Sequence, residues 1–100
     1  MHRILGAQAN PNFSLNLKFE DGSEAQVDLS ELVKTAAIAA PFRDARRFVS
    51  ALKIVEDGEV LRWDDQFELH ADSLRYRAFP DELERDYGPE ATGHESRPAA

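Results

Sequence analysis

Hydrophobic and polar residues alternate strictly in the first third of the chain. Apolar side chains occupy every second position of residues 13–19, which is the period of a β-strand that buries one face. The dipeptide Asp21-Gly22 follows, and the alternation resumes over residues 25–29. Because Asp and Gly both tolerate positive φ, this dipeptide indicates the turn of a β-hairpin. An earlier strand is predicted over residues 4–9.

The hydrophobic period becomes helical in the middle of the chain. Apolar residues recur at helical spacing over residues 29–36, with Ser30 as the predicted N-cap. This helix should end before Pro41, because the residue before a proline avoids the α region. A second short helix is predicted over residues 43–50.

A second hairpin is predicted over residues 52–63, where Asp57-Gly58 again separates two apolar, strand-like runs. Residues 67–69 are predicted to form a short strand or a turn. Asp72 is the predicted cap of a last helical turn.

These elements predict an α+β fold: a small antiparallel sheet made of the two β-hairpins plus the N-terminal strand, with short helices packed on one face. Residues 1–79 are predicted to form a single domain. Residues 80–100, which are rich in acids, Gly and Pro, are predicted to be an acidic and partly disordered tail. The apolar residues on the inward faces form the predicted core: Phe13, Leu15, Leu17, Phe19, Val27, Leu29, Leu32, Phe48, Ile54, Leu61 and Leu74.

Composition narrows the functional classes. The chain has 100 residues, a formal net charge of −7 and no cysteine. The absence of cysteine excludes disulfides, a thiolate nucleophile and zinc–cysteine sites. The acidic charge argues against direct DNA binding, whose affinity comes largely from neutralising phosphates. No signal peptide or membrane-length apolar run is present, so a cytoplasmic location without membrane contact is expected.

Several short motifs occur in a fixed order over residues 3–76: Phe19-Glu20-Asp21-Gly22, Val27-Asp28-Leu29, Pro41-Phe42-Arg43-Asp44 with Phe48, then Trp63 and Asp72-Ser73-Leu74. Their order and spacing resemble the bacterial domain-of-unknown-function family 2442. The resemblance implies a small stand-alone member with no assigned activity. Family members that precede a helix-turn-helix segment, or lie beside small toxin-like genes, imply an alternative regulatory role. The chain departs from the family pattern after Trp63, where Asp64-Asp65-Gln66 replaces Pro and Gly.

One candidate binding region surrounds Trp63. Its indole could stack on a ligand, although a place in the core or in a dimer interface is the favoured interpretation. Asp64 and Asp65, with His70 and Asp72, have oxygen and imidazole groups that suit a divalent ion. Their spacing matches no defined metal loop, so a polar turn is favoured and no metal or cofactor is predicted.

The second candidate region is the basic cluster of Arg43, Arg46 and Arg47. Guanidinium groups bind phosphate well, but these three could equally pair with Asp44, Glu20 or the acidic tail. A solvated helix face is the favoured interpretation. No catalytic residue is predicted, because no serine or histidine lies in a recognisable catalytic motif.

The sequence therefore favours a non-enzymatic protein-interaction module that forms a homodimer and binds a small protein partner. Dimerisation is expected because a small sheet leaves open edges, and Trp63 or Phe67 could anchor the contact. One alternative is an accessory regulator in a nucleic-acid-associated or toxin–antitoxin-like system. Another is a small ligand-binding protein that uses the Trp63 and Asp65 region.

Overall fold

The computed structural model of the protein describes residues 2–88. The strands are β1 (Ile4–Ala9), β2 (Ser14–Phe19), β3 (Glu24–Asp28), β4 (Leu52–Val55), β5 (Val60–Trp63) and β6 (Phe67–His70). The helices are α1 (Ser30–Thr35), α2 (Ala45–Ser50), α3 (Ala71–Ala78) and α4 (Pro80–Tyr87), and a 3₁₀ segment (Ala37–Arg43) joins α1 to α2. The predicted α+β class is confirmed.

The strands form two three-stranded antiparallel sheets where the sequence predicts one. The first sheet has the order β1-β2-β3, and the second has the order β4-β5-β6. Both predicted hairpins are present: β2 and β3 form the first, which β1 joins, and β4 and β5 form the second, which β6 joins. The helical segment between them keeps the hairpins apart, so β1 completes the first sheet and β6 completes the second. The edge strands β1 and β4 lie side by side, and α3 packs against β3.

The two Asp-Gly dipeptides lie in hairpin turns of different form. Gly22 has the expected positive φ of 90° at the first turn. The second turn is a short 3₁₀ segment over residues 56–58, in which Glu56 and Asp57 also have positive φ. A Cβ atom on Gly58 would lie 2.7 Å from the carbonyl oxygen of Ile4. Glycine at this position therefore lets the second hairpin approach β1 closely.

Helix α1 differs from its prediction at both ends. Its N-cap residue is Leu29 rather than Ser30, and the Asp28 carboxylate accepts a hydrogen bond from the Ser30 amide at 2.8 Å. The α-helix ends at Thr35, and Pro41 lies inside the 3₁₀ segment that follows. The α-helix does end before Pro41, as predicted, but the extended conformation of Ala36 ends it and not the proline.

Two aspartates at helix starts have different roles. Asp44 caps α2, because its carboxylate accepts a hydrogen bond from the Arg46 amide at 2.9 Å. Asp72, the predicted cap of α3, instead lies within the first turn of that helix. Its carboxylate accepts a hydrogen bond from the backbone amide of His2 at 2.7 Å, so it ties the N-terminus to α3.

The segment that the sequence assigned to the tail begins with a helix. Pro80 occupies the first turn of α4, where its missing N–H leaves no intrahelical bond unmade. The remaining part of the predicted disordered tail, residues 89–100, lies outside the described residues. Among residues 2–88, no helix is long and apolar enough to span a membrane.

The core lies between the inner faces of the sheets and the helices. Most of the predicted core residues are buried, but Ile54 is 38% exposed because it lies on the edge strand β4. Phe13 and Leu32 are half-buried, and Val33 rather than Leu32 is the buried residue of α1. The core also contains Trp63, for which the core was one of the two favoured places, and large side chains outside the predicted list: Ile4, Val33, Phe42 and Phe67.

Candidate binding surfaces

Trp63 lies in the core. Its side chain is fully buried, and the indole N–H donates a hydrogen bond to the Phe48 carbonyl at 2.9 Å. The ring packs against the rings of Phe48 and Phe67, with centroid distances of 5.6 and 5.1 Å. The indole therefore has no open face on which a ligand could stack.

Asp64 and Asp65 form the turn between β5 and β6. Both residues have positive φ, which aspartate tolerates better than most residues. Their carboxylates point to separate cations: Asp64 pairs with Arg47 at 3.1 Å, and Asp65 lies 3.8 Å from Arg62. Within residues 2–88, no group of three potential metal ligands comes together.

The three arginines of the basic cluster have three different environments. Arg43 donates hydrogen bonds to the carbonyl oxygens of Val33 and Ala36, at 2.8 and 3.2 Å. Arg47 pairs with Asp64, and its guanidinium lies 5.5 Å from the centroid of a core phenylalanine ring. Arg46 is exposed and has no ion pair with any other described residue. The cluster therefore forms no common anion site.

Arg75, which the sequence reasoning missed, is the most tightly held charged group in the described chain. Only 6% of the residue is exposed, and its guanidinium lies over two aromatic rings, 4.9 Å from the centroid of Phe19 and 4.6 Å from that of Phe79. It donates two hydrogen bonds to Glu82, each 2.7 Å long, and two to Asp21, at 3.0 and 3.4 Å. We call Arg75, Asp21 and Glu82 the arginine clamp.

The clamp changes the acidity of both carboxylates. Hydrogen bonds from the side chain and amide of Ser23, followed by those from Arg75, hold the pKa of Asp21 well below its usual range. Hydrogen bonds from Arg75 lower the pKa of Glu82. The clamp joins the first hairpin turn to α3 and α4, so its evident role is structural. No local sequence signal identifies it, because Asp21 and Arg75 are 54 positions apart.

The first sheet has an open outer face. A shallow concavity of about 550 Å³ runs across all three strands. One cross-strand row consists of three amide side chains: Asn16 on β2 is paired with Gln8 on β1 and with Gln26 on β3. The neighbouring row consists of Gly6, Lys18 and Glu24. We call this face the amide trough, and its two charges cancel.

A smaller groove lies beside α1. It has a volume of about 290 Å³ and is lined by Phe13, Ser30, Val33, Lys34 and Arg43. Its floor is apolar, and two cationic side chains stand at its rim. We call it the α1 groove; no sequence pattern indicates it, because its residues come from three separate parts of the chain.

Known proteins resemble the chain at the level of family and fold. A family model described as "Protein of unknown function (DUF2442)" matches residues 4–80. A crystal structure from Nitrosomonas europaea ATCC 19718, of a protein described as "Putative DNA Binding Protein", has a TM-score of 0.69 and 19% identity to the chain. That similarity covers 95% of this chain and 67% of the other, and at this identity it shows the fold alone. No curated protein matches the chain.

Proposed function

Since the chain belongs to the DUF2442 family, whose function is unknown, we propose a role from its own surfaces: a non-enzymatic, cytoplasmic protein-interaction domain of bacteria. The observation that carries the proposal is the amide trough. Its central row consists of amide side chains, which donate and accept hydrogen bonds but do not take part in acid–base chemistry near neutral pH. Such groups suit the recognition of a polypeptide backbone.

The shape and charge of the trough support the same role. Small-molecule sites are enclosed and mostly apolar, whereas the trough is open and lined largely by polar side chains. Lys18 and Glu24 cancel each other within the trough, although the whole chain has a net charge of −7. An acidic protein partner can therefore approach this face without local repulsion.

Self-association forms part of the proposal, with a different anchor from the one that the sequence suggested. Trp63 and Phe67 are both buried, so neither is available for a dimer contact. Leu5 on β1 is 62% exposed and Ile54 on β4 is 38% exposed. Because β1 and β4 lie side by side, we place the contact between two copies at this pair of edges.

Photo-crosslinking from the trough tests the interaction role. A photoreactive amino acid is placed at Asn16, at the centre of the trough, and the matched control is placed at Gln66, which is exposed in the turn after β5. In cells of the native host, we expect a discrete protein adduct from position 16 and none from position 66. Equal adducts from both positions, or no protein adduct from position 16, would contradict the proposal.

The description of the Nitrosomonas europaea protein favours a second candidate, an accessory role in a nucleic-acid-associated system. One third of that protein lies outside the region of similarity, so its description does not locate the DNA contact in this fold. The net charge of −7 also opposes direct binding. We expect the isolated chain to bind duplex DNA more weakly than about 10⁻⁴ M at physiological salt, measured by fluorescence anisotropy. Tighter, salt-dependent binding would favour this second candidate.

A further inference from the structure

We propose that the α1 groove binds an acidic peptide segment through one large apolar side chain of that segment. This inference goes beyond the proposed function, because the α1 groove and the amide trough share no lining residue. Its partner is defined by its chemistry: an apolar side chain for the floor and carboxylates for the rim.

The floor of the groove has an unusual aromatic residue. Phe13 has a φ of 67°, a left-handed conformation that bulky residues rarely adopt. Its amide and its carbonyl oxygen hold it there by hydrogen bonds to the Asn10 carbonyl and the Leu29 amide, each 2.9 Å long. One edge of the ring packs against Phe48, at a centroid distance of 5.2 Å, while the residue remains half-buried. The fold therefore keeps an aromatic surface at the groove although the backbone there is strained.

The rim has two positive charges that have no ion pair within residues 2–88. Lys34 is exposed and has no ion pair with another described residue. The guanidinium of Arg43 is oriented by the carbonyl oxygens of Val33 and Ala36, and no carboxylate of the described residues forms an ion pair with it. A fixed cation and a mobile cation beside an apolar floor favour an anionic ligand.

The nearby acids do not close the groove. Asp28 accepts a hydrogen bond from the Ser30 amide, and hydrogen bonds from Ser30 lower its pKa, so it stays ionised. Glu31 is exposed on α1 and does not line the groove. The chain has a net charge of −7, yet both charged residues that line this apolar groove are basic.

The apolar floor indicates that the groove binds a peptide rather than a nucleic acid. Nucleic-acid affinity rises with the number of phosphates neutralised, and two cations neutralise few. A single apolar side chain, by contrast, fits a groove of about 290 Å³ and gains from burial against Phe13 and Val33. We therefore assign the groove to a peptide.

NMR titration of the full chain with two synthetic hexapeptides tests the assignment. One peptide has the sequence Asp-Glu-Leu-Phe-Glu-Asp, and the other replaces its acids with Lys and Arg. We expect the acidic peptide alone to shift the amide signals of Phe13, Val33, Lys34 and Arg43, with a dissociation constant of roughly 10⁻⁴ M. No saturable shift, or equal shifts with the basic peptide, would overturn the inference.

Matched variants locate the binding. Lys34→Glu should weaken binding of the acidic peptide by about tenfold. Lys53→Glu, at another exposed lysine with no ion pair to a described residue, should leave it unchanged. Phe13→Asn removes the aromatic floor and relieves the strained backbone, since asparagine tolerates positive φ. It should abolish binding while the spectrum stays folded. Equal effects of the two lysine variants, or tighter binding of a short single-stranded DNA than of the acidic peptide, would refute the assignment.

Discussion

The two sheets have the same size and the same strand order, yet their outer faces differ. On the second sheet, Arg62 points outward and is surrounded by three carboxylates, those of Glu56, Asp65 and Glu68. On the outer face of the first sheet, neither Lys18 nor Glu24 has an ion pair within residues 2–88, and the central row consists of amides. The second face holds its central cation in ion pairs, whereas the amide row of the first face has a single side-chain hydrogen bond within the described residues, from Gln26 to Ser14 at 3.4 Å. This contrast is why we place recognition on the first sheet.

The largest expected effect is a difference in the free energy of unfolding between substitutions on the inner and the outer face of the first sheet. Phe19 is 1% exposed on the inner face, so Phe19→Ala should reduce the free energy of unfolding by about 3–5 kcal/mol in urea titrations. Asn16→Ala on the outer face should change it by less than about 0.5 kcal/mol. Similar losses for the two variants would show that the outer face is part of the folded core.

The next largest effect on stability is expected where the turn of the second hairpin lies against β1 of the first sheet. Gly58→Ala introduces a side chain at positive φ and 2.7 Å from the Ile4 carbonyl oxygen, so we expect a loss of about 2–3 kcal/mol in thermal or urea unfolding. Gly22 has the same positive φ, but a Cβ there meets nothing within 4 Å. Gly22→Ala should therefore cost only about 1 kcal/mol, from the backbone strain alone. Equal losses would mean that the second turn does not rely on close contact with β1.

A further effect appears in the pH dependence of stability. The folded-state pKa values of Asp21 and Glu82 lie below their ordinary values of 3.8 and 4.5. Between the ordinary and the folded pKa values the unfolded chain binds more protons, so stability should fall as the pH decreases from about 5. Arg75→Met removes the main cause of the lowered pKa of Glu82 and a lesser cause for Asp21, so the variant should lose most stability at neutral pH and approach the parent as the pH falls.

Urea midpoints at pH 7, 5, 4 and 3.5 measure this convergence. Arg62→Met is the control on the second sheet, because the Arg62 side chain is 27% exposed, against 7% for Arg75, and its ion pairs should couple less to stability. A gap between the Arg75→Met variant and the parent that stays constant over this range would show that the arginine clamp acts through packing alone.

The smallest effect concerns the proposed dimer. Leu5 on β1 is 62% exposed and Ile38 on the 3₁₀ segment is 61% exposed, so the two make a matched pair. Leu5→Lys should weaken self-association by about tenfold in sedimentation equilibrium, whereas Ile38→Lys should not. A parent protein that sediments as an 11.3 kDa monomer up to high micromolar concentration would remove the dimer from the proposal.

The positions of the hairpin strands could be predicted from short sequence patterns, but the division of the strands into two sheets could not. Period-two alternation and two Asp-Gly turns identify both hairpins, because pleat and turn chemistry act over a few residues. The split into two sheets depends on which strand completes each hairpin, and residues 67–69 gave only a weak signal. In α1, the choice of Val33 over Leu32 as the buried residue depends on how a six-residue helix is rotated, which its sequence hardly constrains.

The candidate surfaces were less predictable than the fold. The residues that the sequence singled out, Trp63 and its acidic and basic neighbours, have chemistry that is conspicuous in any context, and most of them serve the core or its ion pairs. The amide trough consists of ordinary polar residues whose importance appears only when three strands align them. The arginine clamp depends on a contact between residues 54 positions apart.

The chain contains one tryptophan, and it is fully buried against Phe48 with its N–H bonded to a carbonyl oxygen. The protein therefore contains its own optical reporter. Because the indole belongs to the second sheet and the amide trough to the first, its emission should stay constant when the trough is occupied and shift to longer wavelength only when the core opens. Binding and unfolding can thus be followed in a single cuvette without any label.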